Sequence, residues 1–241
     1  MTVPWLFDNQ PLPPPNTANE DGIVAVGGAL SVPRLREAYG QGIFPWPHED
    51  LPMLWFSPDP RFVIHLDSPT APKSLLKKLK STTLHITMDT QFERVVRHCA
   101  NVPRPDQNGT WITQDILDAY LELHQEGIAH SVEAWDGNTL VGGLYGVSLG
   151  GCFFGESMFA LQPEASKIAF ATFISQLGDW QFDLIDCQIH TDHLARFGGV
   201  FMPRSDYCGA IKESQIHNST RKGKWEMTLT PLDAHRFFKT R

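Results

Sequence analysis

No apolar run in this 241-residue chain approaches the ~20 residues that a membrane-spanning helix needs. The opening MTVPWLFDNQ shows neither the basic flank nor the apolar stretch of a signal peptide, so the expectation is a cytoplasmic protein. Its four cysteines, Cys99, Cys152, Cys187 and Cys208, are scattered without a C-x-x-C pair. That spacing suggests neither a zinc site nor a disulfide framework, and leaves reduced, buried small residues as the simplest reading. Positive charge is also scarce: a formal net charge of −7 argues against a general nucleic-acid binder, although a local patch can override the total. What remains, 41% hydrophobic and 20% charged residues, describes an ordinary globular protein of one large domain, or one domain with a smaller appendage.

One charge stands out of place. The stretch 140–160, LVGGLYGVSLGGCFFGESMFA, reads as two strands joined by a tight Ser148-Leu149-Gly150-Gly151 turn, and its second strand is apolar until Glu156. A buried carboxylate costs several kcal/mol unless it is paired or hydrogen-bonded. Glu156 therefore sits in a polar network or faces a pocket that receives a cation or polar substrate.

The Pro-, Asn- and Asp-rich start predicts an extended arm anchored by Trp5, Leu6 and Phe7. GIVAVGGAL predicts a short strand, and Ser31 N-caps a helix through Leu35, Ala38 and Tyr39 that stops at Gly40. The segment GIFPWPHEDLPMLWFSPDPRFVI alternates aromatic residues with prolines, which predicts a rigid loop presenting flat rings. Lys73, Lys77, Lys78 and Lys80 then surround Leu75, Leu76 and Leu79 on a basic helix, either a solvated face or a phosphate contact. Further on, TLHITM predicts a strand and QFERVVRHCA a helix, GTWITQDILDAYLELHQEG ends in a helix stopped by Gly127, and residues 129–159 predict an antiparallel meander. A helix with Ala169, Phe170, Phe173, Ile174 and Leu177 on its apolar face follows, then the strand FDLIDCQI and two shorter helices, TDHLARF and DYCGAIKESQ. KWEMTLTPL predicts a weak final strand.

Helix, helix, three antiparallel strands, helix, strand, helix is the order of a GNAT-type acyltransferase core. The expected fold class is α+β: a mixed, mainly antiparallel sheet with flanking helices over residues 63–241, plus a small N-terminal α/β domain over 1–62. In coenzyme A users of that fold, a glycine-rich loop before the helix that follows the meander binds the pyrophosphate. Here the junction, ALQPEAS at 160–166, has no glycine, so the acyl donor should not be a coenzyme A thioester.

Several motifs together resemble the leucyl/phenylalanyl-tRNA–protein transferases: GIFPW (42–46), WFSPDPR (55–61), GTWIT (109–113), AHSVEAW (129–135), GGLYGV (142–147), FFGESMF (153–159), ASK (165–167) and LIDCQ (184–188). The resemblance runs from about Gly22 to Tyr207. It departs from the family at Phe56, where Trp is usual, and at Arg196-Phe197-Gly198-Gly199, where a small-residue run is usual. The resemblance implies a cytoplasmic enzyme that transfers Leu, Phe and, less readily, Met from aminoacyl-tRNA to proteins with N-terminal Arg or Lys, marking them for degradation. It implies no cofactor, no metal, no membrane and a monomer. The alternatives are a coenzyme A-dependent N-acetyltransferase and a non-enzymatic binder of basic N-termini.

By the same resemblance, Asp186 and Gln188 are the catalytic pair, two apart and so on one face of a strand. Gln188 positions amine and ester, Asp186 orients its amide and offsets positive charge on nitrogen, and Glu156 receives the cationic acceptor. Without the resemblance, all three residues read equally as a polar network plugging a gap between strands. Trp46 and Trp111 are implied to stack on the terminal adenosine, with Gly155 in the close-approach wall. Leu144, Phe153, Met158, Phe170, Phe173, Leu177 and Ile185 are candidates for the donor side-chain pocket and equally good as ordinary core. Lys73, Lys77, Lys78 and Lys80 would touch tRNA phosphates.

Overall fold

A computed structural model describes residues 3–47, 51–101 and 112–240, and two sheets organise them. The smaller sheet contains β1 (Trp5–Leu6), β2 (Ile23–Gly27), β3 (Phe44–Pro45) and β4 (Leu54–Phe56), in the order β1-β2-β4-β3. Helix α1 (Val32–Gln41) connects β2 to β3. Ser31 caps it by accepting from the Arg34 N–H at 3.4 Å, and Gly42, at φ +79°, turns the chain out of it two residues beyond the expected stop. Leu35, Ala38 and Tyr39 recur at helical spacing and form its buried face.

The Pro- and Trp-rich segment is more regular than a loop. It holds β3, β4 and the start of β5 (Arg61–His65). Pro45 lies in β3, at the edge of its sheet, where a missing N–H breaks no central ladder, and the other described prolines fall outside the strands. Trp55 is fully buried and donates its indole N–H to the Gly27 carbonyl at 2.9 Å. Of the three expected N-terminal anchors only Leu6 is buried; Trp5 and Phe7 are 56% and 63% exposed.

The larger sheet takes β5 together with β6 (His85–Met88), β7 (Ala129–Asp136), β8 (Thr139–Leu149), β9 (Cys152–Ala160), β10 (Leu184–Asp186) and β11 (Val200–Met202). Their order is β11-β5-β10-β9-β8-β7-β6, antiparallel except for the parallel pair of β9 and β10. Around it lie α2 (Lys73–Ser81), α3 (Phe92–Asn101), α4 (Gln114–Gln125), α5 (Ala165–Asp179), α6 (Asp192–Ala195), α7 (Arg204–His217) and α8 (Pro231–Lys239). One apolar cluster joins α1, α3 and α4 to Tyr145 and Phe154 and extends into the smaller sheet. The other joins α2, α5 and α8 to Leu144 and Phe153.

The expected strand over KWEMTLTPL does not form. Its backbone is held instead by two buried side chains: Asp89 Oδ2 accepts from the Trp225 N–H, and Gln176 Oε1 accepts from the N–H groups of Thr228 and Leu229 and from the Thr228 hydroxyl. Thr230 and Asp233 then make a reciprocal capping box that starts α8, a helix not anticipated from periodicity, as β11 was not. Among the described residues no helix is long and apolar enough to cross a membrane.

Candidate active site

The parallel pairing of β9 with β10 ends at Phe154 and Asp186, while β9 continues to Ala160. The two chains part there, and a cavity of about 440 Å³ opens between them. Its lining draws on both sheets and two helices: Phe44, Pro45 and Trp46 at β3, Leu144, Phe153, Met158 and Ile185 of the larger sheet, Phe170 of α5 and Leu194 of α6, together with Glu156 and Gln188.

A bulge aims Glu156 into this cavity. Tyr145 of β8 pairs with Ser157, but the next residue, Gly146, pairs with Gly155, so Glu156 is the extra residue of β9. The bulge reverses the alternation of side chains. Phe153 and Met158 both belong with the α5 cluster and Phe154 and Phe159 with the other, although residues five apart in a regular strand face opposite ways. Gly146 is required opposite the bulge, because a Cβ there would collide with the Phe154 carbonyl oxygen.

Asp186 and Gln188 do not share a strand face. β10 ends at Asp186, and Gln188 lies beyond it in the left-handed region at φ +62°. Asp186 is fully buried and its carboxylate is saturated: Oδ1 accepts from Arg61 Nε and from the Gln188 backbone N–H, both at 2.8 Å. Oδ2 accepts from Arg61 Nη2 at 2.7 Å and from the Tyr207 hydroxyl at 2.6 Å. Arg61 is equally buried, its guanidinium between the rings of Phe44 and Tyr207 at 4.6 and 4.7 Å. Burial alone would lower its pKa, but the Asp186 carboxylate outweighs burial and raises it. Asp186 thus orients the backbone of Gln188 rather than its amide, and its charge is already offset by Arg61.

The side-chain amide of Gln188 is held by Glu156, donating from Nε2 to Oε1 at 3.0 Å. Two phenols from different helices complete the shell: the Tyr39 hydroxyl lies 2.7 Å from Glu156 Oε1, the Tyr120 hydroxyl 2.9 Å from Oε2, and the two hydroxyls also contact each other. Burial pushes the Glu156 carboxyl up to about 7, against the hydrogen bonds from Tyr39, Tyr120 and Gln188 and with the help of the Asp186 charge. Burial, then the Glu156 charge, drive both phenols well above their ordinary value, so they stay protonated. Among the described residues lining the cavity there is no Lys or Arg. An incoming ammonium or guanidinium therefore meets Glu156 with no Lys or Arg at its side, and burial holds His193, which also lines the cavity, toward its neutral form.

Trp46, half-buried, and Gly155 line the cavity with the catalytic candidates, as do Leu144, Phe153, Met158, Phe170 and Ile185. Trp111 lies outside the described residues. Phe173 and Leu177 do not reach the cavity: Phe173 packs edge-on behind Phe153 at 4.6 Å, and Leu177, a turn further along α5, is fully buried core. Lys73, Lys77, Lys78 and Lys80 are all exposed on α2, which anchors through Leu75 and Leu79. Sequence reasoning missed Tyr39, Tyr120, Arg61 and Tyr207. The available signal was a phenol on each apolar helix face and an arginine opening the apolar run RFVI, since buried groups of these kinds need partners.

Residues 63–212 match the model of the leucyl/phenylalanyl-tRNA protein transferase family and residues 28–59 that of its N-terminal domain. A leucyl/phenylalanyl-tRNA–protein transferase of Myxococcus xanthus (strain DK1622) is 51% identical over 227 residues, covering 93% of this chain and 97% of its own. Those of Anaeromyxobacter sp. (strain Fw109-5) and Syntrophus aciditrophicus (strain SB) are 49% and 47% identical, covering 89% and 93% of this chain and 91% and 95% of their own. The chain belongs to the leucyl/phenylalanyl-tRNA protein transferase family.

Proposed function

We propose that this aminoacyltransferase moves Leu or Phe, and less readily Met, from aminoacyl-tRNA to the α-amine of proteins beginning with Arg or Lys, marking them for degradation in the cytoplasm. The single observation that carries the reading is the Gln188–Glu156 pair, set between an apolar wall and Trp46 in one cavity. Leu144, Phe153, Met158, Phe170 and Ile185 take the donor side chain. Trp46, with Trp111, stacks on the terminal adenosine, and Gly155 lets it approach. The parting of β9 from β10 supports a GNAT-type core, here without a glycine-rich pyrophosphate loop. We read residues 1–62 as the small domain, 63–241 as the catalytic one, and the working unit as a monomer.

An aminoacyl ester is already activated, so much of the acceleration comes from holding amine and carbonyl together; effective molarities of ~10⁵ to 10⁸ M bound that effect. Holding the Gln188 amide through Nε2 leaves its Oε1 to accept from the acceptor's amine and keep the lone pair on the carbonyl carbon. Glu156 draws the cationic acceptor into the cavity. Incubation with radiolabelled Phe-tRNA and an Arg-initiated substrate tests the reading: label should pass to the substrate. Substrate binding without label transfer would count against it.

A further inference from the structure

Four oxygens of three side chains meet at the cavity floor with three contacts among them: Tyr39 to Glu156 Oε1 at 2.7 Å, Tyr120 to Glu156 Oε2 at 2.9 Å, and Tyr39 to Tyr120. Two neutral phenols bring two hydrogens, and an ionised carboxylate brings none. One of the three contacts is then without a hydrogen. Adding one proton to Glu156 Oε2 completes the set in a single direction: Oε2–H donates to Tyr120, Tyr120 to Tyr39, and Tyr39 to Oε1. The Gln188 amide donates to Oε1 in both states.

The transfer reaction has one proton to place. The acceptor's α-amine, with an ordinary pKa of ~7.7 to 8.0, arrives largely as an ammonium. Its nitrogen must lose that proton to expose the lone pair that forms the new C–N bond. A second proton leaves the same nitrogen after attack and goes to the ribose oxygen as the ester C–O bond breaks. The net change is ammonium plus ester to amide, alcohol and one proton.

We propose that Glu156 accepts the acceptor ammonium's proton, and that Tyr39 and Tyr120 close a hydrogen-bonded ring around the carboxyl once it has done so. This rests on the transfer reading above. Tyr39, Tyr120 and Asp186 act on Glu156, and His193 of α6 and Cys187, which line the same cavity, are both held toward their neutral forms by burial. Tyr39 from α1 and Tyr120 from α4 keep their own protons, and Tyr145 of β8 lies beyond Tyr120 with ring centroids 5.6 Å apart. Asp186 of β10 is paired with Arg61 of β5, and its charge adds to the rise of the Glu156 carboxyl. The carboxyl, pushed up to about 7 by burial, lies close to the amine it relieves, so the transfer is nearly level in energy. Glu156 then returns the proton to solvent before the next turnover. In this assignment Glu156 is catalytic and the two tyrosines are positioning residues.

The test is the single-turnover rate from pH 6 to 9, with saturating Phe-tRNA and an Arg-initiated peptide, for wild type, Glu156→Gln, Tyr39→Phe and Tyr120→Phe. The glutamine amide at 156 can donate from Nε2 to Tyr120 and accept at Oε1 from Tyr39, as the protonated carboxyl does, so the ring persists while the proton acceptor is lost. Its rate should be down by ~10²-fold or more at pH 6.5, the usual worth of a general base. That deficit should narrow as the pH passes the amine's own pKa and solution supplies neutral amine. Tyr39→Phe and Tyr120→Phe should each move the acid limb of the profile to higher pH, because each removes a hydrogen bond that favours the carboxylate. They keep the proposal testable if Glu156→Gln fails to fold. A Glu156→Gln deficit constant across the range, or tyrosine variants with the wild-type limb, overturns the proposal alone. Absence of transfer by the wild type at every pH overturns the transfer reading and the proposal with it.

Discussion

Arg61 and Asp186 form a bidentate ion pair at 2.8 and 2.7 Å with neither side chain exposed, and through it the first residue of β5 sets the backbone of Gln188. Removing one partner of such a pair leaves an uncompensated buried charge, which costs roughly 3 to 5 kcal/mol. Asp186→Ala should therefore lower unfolding stability by about that amount in denaturant titration, and lose transfer activity because Gln188 is no longer held. Unchanged stability with lost activity would instead give Asp186 a direct chemical role.

The donor pocket separates lining residues from backing residues. Phe170→Ala enlarges the cavity and should change the Leu to Phe preference, within the roughly 10- to 200-fold that one apolar contact supports. Phe173→Leu lies behind Phe153 and should cost stability with little change in that preference. Competition between Leu-tRNA and Phe-tRNA in one reaction reads both.

The α2 lysines are exposed, so Lys77→Ala and Lys78→Ala should each alter stability by less than about 0.5 kcal/mol. Each should weaken tRNA binding and reduce the salt dependence of that binding by about one counterion. Affinity measured across a salt series would show parallel lines if these lysines touch no phosphate.

Glu156 makes folding stability depend on pH. Its carboxyl binds a proton more tightly folded, at about 7, than at its ordinary 4.5. The contribution is complete below 4.5 and is lost as pH rises through 7. Glu156→Gln removes that loss, so it should melt close to the wild type near pH 5 and roughly 6 to 12 °C above it at pH 8, the shift for ~3 kcal/mol in a chain of this size. Equal melting temperatures at both pH values would contradict the raised carboxyl.

The local order of the chain was legible wherever one side-chain period ran unbroken. α1, α3, α4 and α5 follow from apolar spacing, α1 also from its Ser31 cap, and the β7–β8–β9 meander from its turns. α8 was hidden because its capping box follows an extended segment that is anchored by Gln176, some fifty residues away in the chain. β11 was hidden because three residues are too few to show a period. Motif resemblance brought Glu156, Asp186 and Gln188 together correctly as a neighbourhood, but not in their relations.

The sequence by itself determined most of the helices, the central meander, the apolar faces and the odd charge in β9, because these depend on residues a few positions apart. Only the tertiary structure decided which groups that charge meets. Tyr39 and Tyr120 lie 117 and 36 positions from Glu156, and Arg61 lies 125 from Asp186. The β9 bulge, which turns Glu156 toward them, is set by pairing with β8 and leaves no mark on the local pattern. Hydrogen bonds among buried groups follow the packing of whole elements, and a strand's own alternation cannot encode the partner that interrupts it.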